Sequence, residues 1–507
     1  MLKLLNVWNK YQKINTPISI IRFASNSTIF ALSSGYGKCG VAVIRVSGPQ
    51  AVKAVQFLTK TEPKQKNDKE ITKRAIIPRY ASLKNIWHPK TNDLIDRGLV
   101  LWFPGPNSYT GEDCCEFQVH GGVAVISAIC DALNSIDGFR PALAGEFTRR
   151  AFRADKLDLT EIEGLSDLLH AETEIQRKQA LLQMTGALTK VYNEWRNQIL
   201  RAVACLEAYI DFAEDENIEP ETMDDVHKTV QTLIANIEKF LNDSRKGEMR
   251  RNGIKLVILG EPNVGKSSFM NYICQRPISI VANVEGTTRD IVESSFNIAG
   301  FPVILADTAG LRNHTFDPIE KEGMTRAKSY AANADLIILI VEANRLTQWN
   351  LDFDTFKRDY LSKIGFANEK NDSILDKEMI VIANKSDLIE DSHLIDRNDM
   401  VFISCTQNTG IDQALEKIEI TLRKLTDCDG SNTMTLNAPN DRHRLFLVKA
   451  LEHLYDFRRY TEIQEFDYSI AALHLKQSML QLENISGRSV DNEKIYDFIF
   501  KQFCIGK

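Results

Sequence analysis

Eight consecutive residues, Gly260-Glu261-Pro262-Asn263-Val264-Gly265-Lys266-Ser267, make a glycine-rich run that ends in a Lys-Ser pair. That spacing suits a loop closing around phosphate oxygens: Gly260 and Gly265 free the backbone to turn, and N–H groups from Asn263, Val264, Gly265 and on to Ser268 can point inward. Lys266 would reach the outer phosphates and the Ser267 hydroxyl a Mg²⁺ ion. Downstream, Asp307-Thr308-Ala309-Gly310 would bring a carboxylate near that metal and a backbone N–H near the terminal phosphate. Thr287 and Thr288 sit where a switch hydroxyl could complete the Mg²⁺ shell, so Ser267 and Thr288 form the candidate Mg²⁺ set. In Asn384-Lys385-Ser386-Asp387 the Asp387 carboxylate can accept from both guanine N1–H and its amine, a donor pair adenine lacks. Ser404-Cys405-Thr406 adds a backbone N–H for the base. These residues together imply a guanine nucleotide site. A Ras-like enzyme carries Gln after its Asp-x-x-Gly to orient the attacking water. This chain has Leu311, whose side chain cannot hydrogen-bond, so hydrolysis needs a group from elsewhere.

Each piece falls next to an apolar run of strand length. Residues 255–259, 303–306 and 400–403 read as buried strands, and 267–273 as the helix after the phosphate loop, which lends its N-terminal dipole to the anion. Upstream, the runs 40–46, 99–103 and 116–119 alternate with helical stretches, which indicates a compact α/β domain over 26–147. From 148 to 250 the reading is nearly all helix, with i, i+3, i+4 apolar spacing. Helix returns toward the C-terminus in 428–507. The expected architecture is multidomain, α/β plus all-α, with a Ras-like P-loop domain at 251–427 inserted into one helical domain.

At 507 residues the chain is too long for one core, and 43% hydrophobic with 26% charged residues is ordinary globular composition. No segment reaches the apolar length of a membrane span. A net charge of −6 argues against a surface coated with basic groups for nucleic acid, so any RNA contact is local or shared with a partner. Nine cysteines with no C-x-x-C spacing suggest neither a zinc site nor a disulfide framework, but free thiols in a reducing compartment. The first acidic residue is Glu62, whereas Lys3, Lys10, Lys13 and Arg22 lie among Leu, Val, Trp and Phe. Residues 1–25 therefore read as a mitochondrial transit peptide, which places the protein in the matrix.

Asn263 in the phosphate loop, Gly286-Thr287-Thr288-Arg289-Asp290, Asp307 to Arg312, Asn384 to Asp387 and the terminal Phe503-Cys504-Ile505-Gly506-Lys507 together resemble the MnmE (TrmE) family of tRNA wobble-uridine modification GTPases. The likeness runs from about Thr28 to the end. It implies that a K⁺ ion does the work of an arginine finger, held by side-chain oxygens of Asn263 and Thr287 and carbonyls of Ala282 and Val284. It implies a water-positioning carboxylate at Glu320, with Glu322 a second candidate because one extra residue intervenes. It also implies a homodimer through the N-terminal domain, with nucleotide-dependent contact between two G domains.

A second family signature spans Tyr109 to Gly122, Gly145 to Phe152 and Lys156. In the family this domain resembles folate-binding domains of the glycine-cleavage T-protein type. Arg45, Glu116, Lys156 and Lys507 then become candidates to hold a tetrahydrofolate derivative, since Arg or Lys can pair with a glutamate tail and a carboxylate can accept from a pterin. Cys504 reads either as a small buried hydrophobe or as a thiolate acting in the modification. The resemblance implies work with an FAD-dependent MnmG-type partner to place an aminomethyl-type group on C5 of uridine 34 in mitochondrial tRNAs. Two competing readings remain: an Era- or EngA-like ribosome-assembly switch, and a non-hydrolysing GTP- and folate-dependent scaffold.

Overall fold

A computed structural model describes residues 27–60 (except 36), 76–212, 221–275, 280–281, 294–305, 328–348, 353–366, 374–389, 399–426, 439–487 (except 464), 499–500, 503 and 506. The chain divides into two compact units, Met1–Ser166 with Gln183–Ala235 and Leu445–Lys507, and Asp167–Leu182 with Asn236–Arg444.

The first unit holds a six-stranded sheet of β1 (Thr28–Leu32), β2 (Cys39–Ser47), β3 (Ser82–Trp87), β4 (Leu94–Phe103), β5 (Cys114–Gly121) and β6 (Phe139–Pro141), in the order β3-β4-β5-β2-β1-β6. Strand alternation decides what each face carries. Ile44, Val46, Phe117 and Val119 turn to one face and pack with helices α1 (Ala51–Thr59) and α2 (Val123–Asn134) into a closed apolar core. Arg45 and Glu116, one residue out of phase, must turn to the other face, where Ile29, Ala31, Ala142 and Phe147 form a smaller cluster with Tyr109 beside it. Helix α3 (Glu146–Arg153) follows. The long helices of this unit include α6 (Ala187–Phe212) and α12 (Tyr468–Ser486), which run together and are tied by Arg196 Nε to Glu483 Oε1 at 2.7 Å and by the Tyr209 and Tyr468 rings, 4.3 Å between centroids. In chain order α4 (Leu159–His170) and α5 (Glu174–Met184) follow α3, α7 (Glu221–Asn252) follows α6, and α11 (Asp441–Thr461) precedes α12; their residues 167–182, 236–252 and 441–444 belong to the second unit.

The second unit is built on β7 (Ile254–Leu259), β8 (Ile280–Val281), β9 (Ser294–Ile298), β10 (Phe301–Leu305), β11 (Leu336–Glu342), β12 (Glu378–Asn384) and β13 (Met400–Phe402), in the order β13-β12-β11-β7-β10-β9-β8. Strands β13, β12, β11, β7 and β10 are mutually parallel, β9 pairs antiparallel with β10, and β8 pairs antiparallel with β9 at the edge. A parallel sheet needs cover on both faces, which is why Leu336 to Val341 is an unbroken buried run. Leu256 and Ile258 pack on one face with α8 (Lys266–Gln275) and α10 (Ile411–Thr426); Val257 and Leu259 pack on the other with Phe356 and Leu361 of α9 (Phe353–Lys363). The crevice beyond the carboxyl ends of the parallel strands is where ligands bind in such sheets.

Candidate functional site

Three of the candidate loops leave those carboxyl ends together: Gly260 after β7, Asn384 at the tip of β12, and Ser404 just past β13. In the phosphate loop Gly265 has φ 99° and Asn263 φ 62°, both in the left-handed region that lets successive N–H groups face inward. A side chain at Gly265 would collide with the Asn384 amide, so two motifs 119 positions apart by numbering meet at a contact only glycine permits. Asn263 stands exposed at the loop tip while Val264 is buried beneath it at 2% exposure. The Lys266 ammonium donates to the carbonyls of Gly260 at 2.8 Å and Glu261 at 2.6 Å, folded back across its own loop. Burial draws its pKa down, opposed by the nearby Glu261 carboxylate. An amine half-withdrawn from water and aimed into a cradle of backbone is what a phosphate would exploit. Ser267 and Ser268 open α8 on its exposed side.

The base-side residues are tied to the phosphate loop and to one another. Asn384, 3% exposed, donates from Nδ2 to the Val264 carbonyl at 2.8 Å, and its Oδ1 accepts from the Cys405 N–H at 3.2 Å. Its amide is therefore a latch between the phosphate loop and the Ser404 loop. In the Ser404-Cys405-Thr406 segment, which was expected to offer a backbone N–H to the base, the Cys405 N–H is engaged by Asn384. Exposed Asp387 is oriented by the fully buried Ser404 hydroxyl, which donates to its Oδ1 at 2.5 Å. Lys385, φ 63°, pairs with Glu342 at 2.9 Å.

Residues that no motif named hold this loop set in place. Tyr360 of α9 accepts from the Glu261 N–H and donates to the Ile340 carbonyl, both at 3.2 Å, which pins the start of the phosphate loop to β11. Burial pushes its hydroxyl up to about 12, so it stays a donor at any working pH. Arg345 spans Glu261 at 2.6 Å and Glu342 at 3.1 Å, and Lys363 also reaches Glu261 at 2.6 Å. Tyr272 donates to the Cys405 carbonyl at 3.0 Å.

In the first unit, β2 and β5 pair so that Arg45 lies opposite Glu116. Arg45 Nε contacts Glu116 Oε1 at 3.0 Å, each side chain 18% exposed, and the guanidinium lies over the rings of Tyr109 at 5.2 Å and Phe147 at 5.8 Å. A guanidinium near two aromatic rings and paired with a carboxylate is held by cation–π attraction as well as by charge. Tyr109 is anchored by its hydroxyl to Thr148 at 2.9 Å, and burial raises its pKa. Exposed Lys156 passes over Gly111 in the same loop as Tyr109, its Cε 3.6 Å from where a β-carbon would sit. Behind this face, Arg150 joins Glu112 at 2.8 Å and Glu146 at 3.1 Å, and Arg140 clasps Glu146 with both guanidinium nitrogens. Burial alone would raise the Glu146 pKa, but hydrogen bonds from Arg140, the Leu143 N–H and Arg150 outweigh it and hold it at about 2.

The C-terminal segment docks on this unit. Phe500 and Phe503 pack with Leu159 and Ile162, the Phe500 backbone lies where a side chain at Gly145 (φ 68°) would be, and the Gly506 carbonyl accepts from Ser33 Oγ at 2.8 Å.

A family model described as the MnmE helical domain matches residues 159–504, and one described as the GTP-binding protein TrmE N-terminus matches residues 28–156. The chain belongs to the MnmE/TrmE family. It is 45% identical over 494 residues to the mitochondrial 5-taurinomethyluridine tRNA synthase subunit GTPB3 of Danio rerio, covering 95% of this chain and 93% of that one. It is 40% identical to the protein of the same name from Homo sapiens, over 95% of this chain and 94% of that one. It is 41% identical to the tRNA modification GTPase MnmE of Rickettsia bellii, over 95% of this chain and all of that one. The resemblance read from Thr28 onward is thereby confirmed, and the chain is a GTPase of the tRNA-modification class.

For an MnmE/TrmE-family protein the structure thus brings Asn263, Val264, Gly265, Lys266, Ser267 and Ser268 into one crevice with Asn384, Lys385, Asp387, Ser404 and Cys405. It brings Arg45 to Glu116. Asp307, Thr308, Ala309 and Gly310, the K⁺ candidates Ala282, Val284 and Thr287, the Mg²⁺ candidate Thr288, Glu320, Glu322, Cys504 and Lys507 lie outside the described residues, as do residues 1–25. Tyr360, Glu342, Arg345 and Tyr272 escaped the sequence reading because each acts through a contact remote in the chain. Tyr109 and Phe147 stand inside quoted motifs, yet nothing in their spacing marked them as ring partners of Arg45. No helix among the described residues is long and apolar enough to cross a membrane.

Proposed function

We propose that this chain is the K⁺-stimulated, Mg²⁺-dependent GTPase component of a two-protein system that modifies C5 of the wobble uridine, position 34, in mitochondrial tRNAs. Its partner is an FAD-dependent MnmG-type protein, and its compartment is the mitochondrial matrix. The observation that carries this reading is the crevice in which exposed Asn263 tops a phosphate loop latched by Asn384 to the base-side loops. In the sequence, Asp387 offers a carboxylate that can select guanine, and Leu311 after Gly310 has no hydrogen-bonding side chain. A monovalent cation held by Asn263 and Thr287, with the carbonyls of Ala282 and Val284, would supply charge where Leu311 cannot. Glu320 would orient the water. Ser267 and Thr288 would hold Mg²⁺.

The Arg45–Glu116 pair offers the donor and acceptor set that a tetrahydrofolate derivative needs, with Lys156 at the rim. Lys507 follows Gly506, which is seated against Leu32 and Ser33, and that docking supports its assignment, and that of Cys504, to the same site. The names of the mitochondrial relatives favour taurine over glycine as the source of the added amine. We assign 1–25 as transit peptide, 26–147 as the folate-binding-like domain, 148–250 and 428–507 as the helical domain, and 251–427 as the G domain inserted in it. Two chains pair through the N-terminal domain, and nucleotide brings their G domains together as a gate for the modification chemistry.

The test is GTP turnover by the chain lacking residues 1–25, in KCl against NaCl at equal ionic strength, with size measured in GDP and aluminium fluoride. Strong K⁺ stimulation that Asn263→Ala removes, with fluoride-dependent association, is the expected result. Equal slow turnover in both salts would sink the cation mechanism.

A further inference from the structure

Away from both sites, helices α11 and α12 bring three metal-ligating side chains to one point. His453 and Asp456 stand three residues apart on α11, which puts them on one helical face, and His474 meets them from α12. Each offers one donor atom, and the three donors lie within 4.8 Å of one another. We propose that His453, Asp456 and His474 form a binding site for a divalent transition metal of the zinc class, clamping the α11–α12 hairpin.

The backbone beneath the cluster is fixed. Each ligand is followed along its helix by a residue with no exposed surface, Leu454, Phe457 and Leu475 respectively. One turn away, the buried Ser478 hydroxyl donates to the Ala450 carbonyl at 3.0 Å and locks the two helices in register. All three ligands are half-buried, accessible to an ion yet shielded enough to be worth desolvating. The surrounding groups also suit the role. Arg459 donates to Asp456 Oδ1 at 2.8 Å, which leaves the second carboxylate oxygen for a metal and orients the group as an outer-shell partner would. The Tyr460 ring flanks the His474 ring at 6.0 Å between centroids.

Two imidazoles and one carboxylate are the donor set that zinc shares with its transition-metal neighbours, whereas Mg²⁺ and Ca²⁺ prefer oxygen alone. Tetrahedral zinc with bonds of about 2.0–2.1 Å needs its donors about 3.4 Å apart, a contraction within reach of side-chain rotation. The fourth position would be filled by water. Binding ligands from two helices at once stabilises the folded hairpin by mass action, so the site acts as a metal-dependent staple on the helical region rather than in GTP hydrolysis.

The test uses the chain lacking residues 1–25, stripped with chelator and free of nucleotide, titrated with Zn²⁺ and with Co²⁺ as a visible probe. One equivalent of Zn²⁺ should bind per chain and raise the melting temperature. Co²⁺ should give a ligand-field band without thiolate charge transfer. The double variant His453→Gln/His474→Gln should lose affinity more than about tenfold while GTP turnover and circular dichroism stay as in the parent. Failure to bind at about 100 µM Zn²⁺, where a working staple would be saturated, overturns the proposal. So does a Co²⁺ spectrum dominated by thiolate, or an unchanged equivalent in the double variant. Asp456→Asn, which keeps shape and the Arg459 contact, checks the carboxylate separately and should weaken binding without unfolding the hairpin.

Discussion

The candidate nucleotide crevice lies at the carboxyl ends of parallel strands and the Arg45–Glu116 pair on the face of two inner strands, and the two are built from different materials. The crevice is made chiefly of backbone, a glycine turn and carbonyls that hold Lys266, with the Asn384 side-chain amide bonding to the Val264 carbonyl and the Cys405 N–H. The Arg45 face is made of side chains, two charges paired across adjacent strands and stacked on rings. Backbone geometry is set by residues next to one another in sequence, whereas a cross-strand pair exists only once the register is set. The first site should therefore fail when one latch is cut, and the second should weaken by degrees.

The sharpest way to break the comparison is Asn384→Ala. It removes the acceptor of one half-buried N–H and the donor to one buried carbonyl, and an unsatisfied buried group costs about 1–3 kcal/mol. GTP and GDP affinity should both fall by roughly tenfold or more, measured by fluorescent-nucleotide titration. If affinity holds and only base preference changes, Asn384 is a base contact and the latch description is wrong.

Arg45→Ala tests the other half. It strands Glu116, only 18% exposed, without its cation, and truncation of such a pair costs about 1–3 kcal/mol of the unit's stability. Arg45→Lys should restore part of the charge but little of the stacking on Tyr109 and Phe147, because an ammonium is not a planar fork. Hydrogen exchange across β2 and β5 reads the loss directly. Turnover of GTP in the absence of tRNA should stay near that of the parent, and a fall as large as that of Asn384→Ala would erase the distinction between the sites.

Legibility followed the same division. The phosphate-loop turn and the parallel strands were readable because a contiguous motif and an unbroken apolar run each encode their own local geometry; the strand expected at 255–259 is β7, one residue longer at its start. The expected helical content from 148 onward was also recovered, with α3 beginning two residues earlier at Glu146. What stayed hidden was anything set by tertiary contact. Tyr360 meets the Glu261 N–H across 99 residues, and no local period marks it out from other aromatic positions of an amphipathic helix. Arg45 and Glu116 were identifiable only through family resemblance, since an Arg and a Glu on separate strands carry no sign that they will face each other. Gly145 stood only as the first residue of a family signature, and its closeness to the Phe500 backbone needed the fold.

Acid offers a gentler probe of the side-chain region. Glu146 is held at about 2, below its ordinary 4.5, by Arg140, the Leu143 N–H and Arg150 against the opposing effect of burial. A depressed carboxyl binds its proton more readily in the unfolded chain. Its contribution to stability is therefore complete above about pH 4.5 and is lost as the pH falls toward about 2. Melting temperature followed by circular dichroism should drop through that window, and Glu146→Gln should flatten the drop while lowering stability at neutral pH. An acid limb identical in the variant would assign the drop to other carboxylates.

The smallest expected effect comes from a part of the crevice that is built like the Arg45 face. Arg345 bridges Glu261 in the phosphate loop and Glu342 beside the base-side loop, but it is 53% exposed, against 15% and 14% for its partners. Ion pairs open to water are worth about 0–1 kcal/mol and are screened by salt. Arg345→Ala should accordingly weaken GDP binding no more than about fivefold in dilute buffer, and the difference should vanish in about 1 M salt, where charges are screened within about 3 Å. Lys363, which also holds Glu261 at 2.6 Å, would take up part of the lost pairing, so adding Lys363→Ala to Arg345→Ala should cost more than the two single changes added together. Strict additivity would mean that Glu261 is held by the Tyr360 contact at its own backbone N–H, and that even the charged rim of this crevice depends on its backbone.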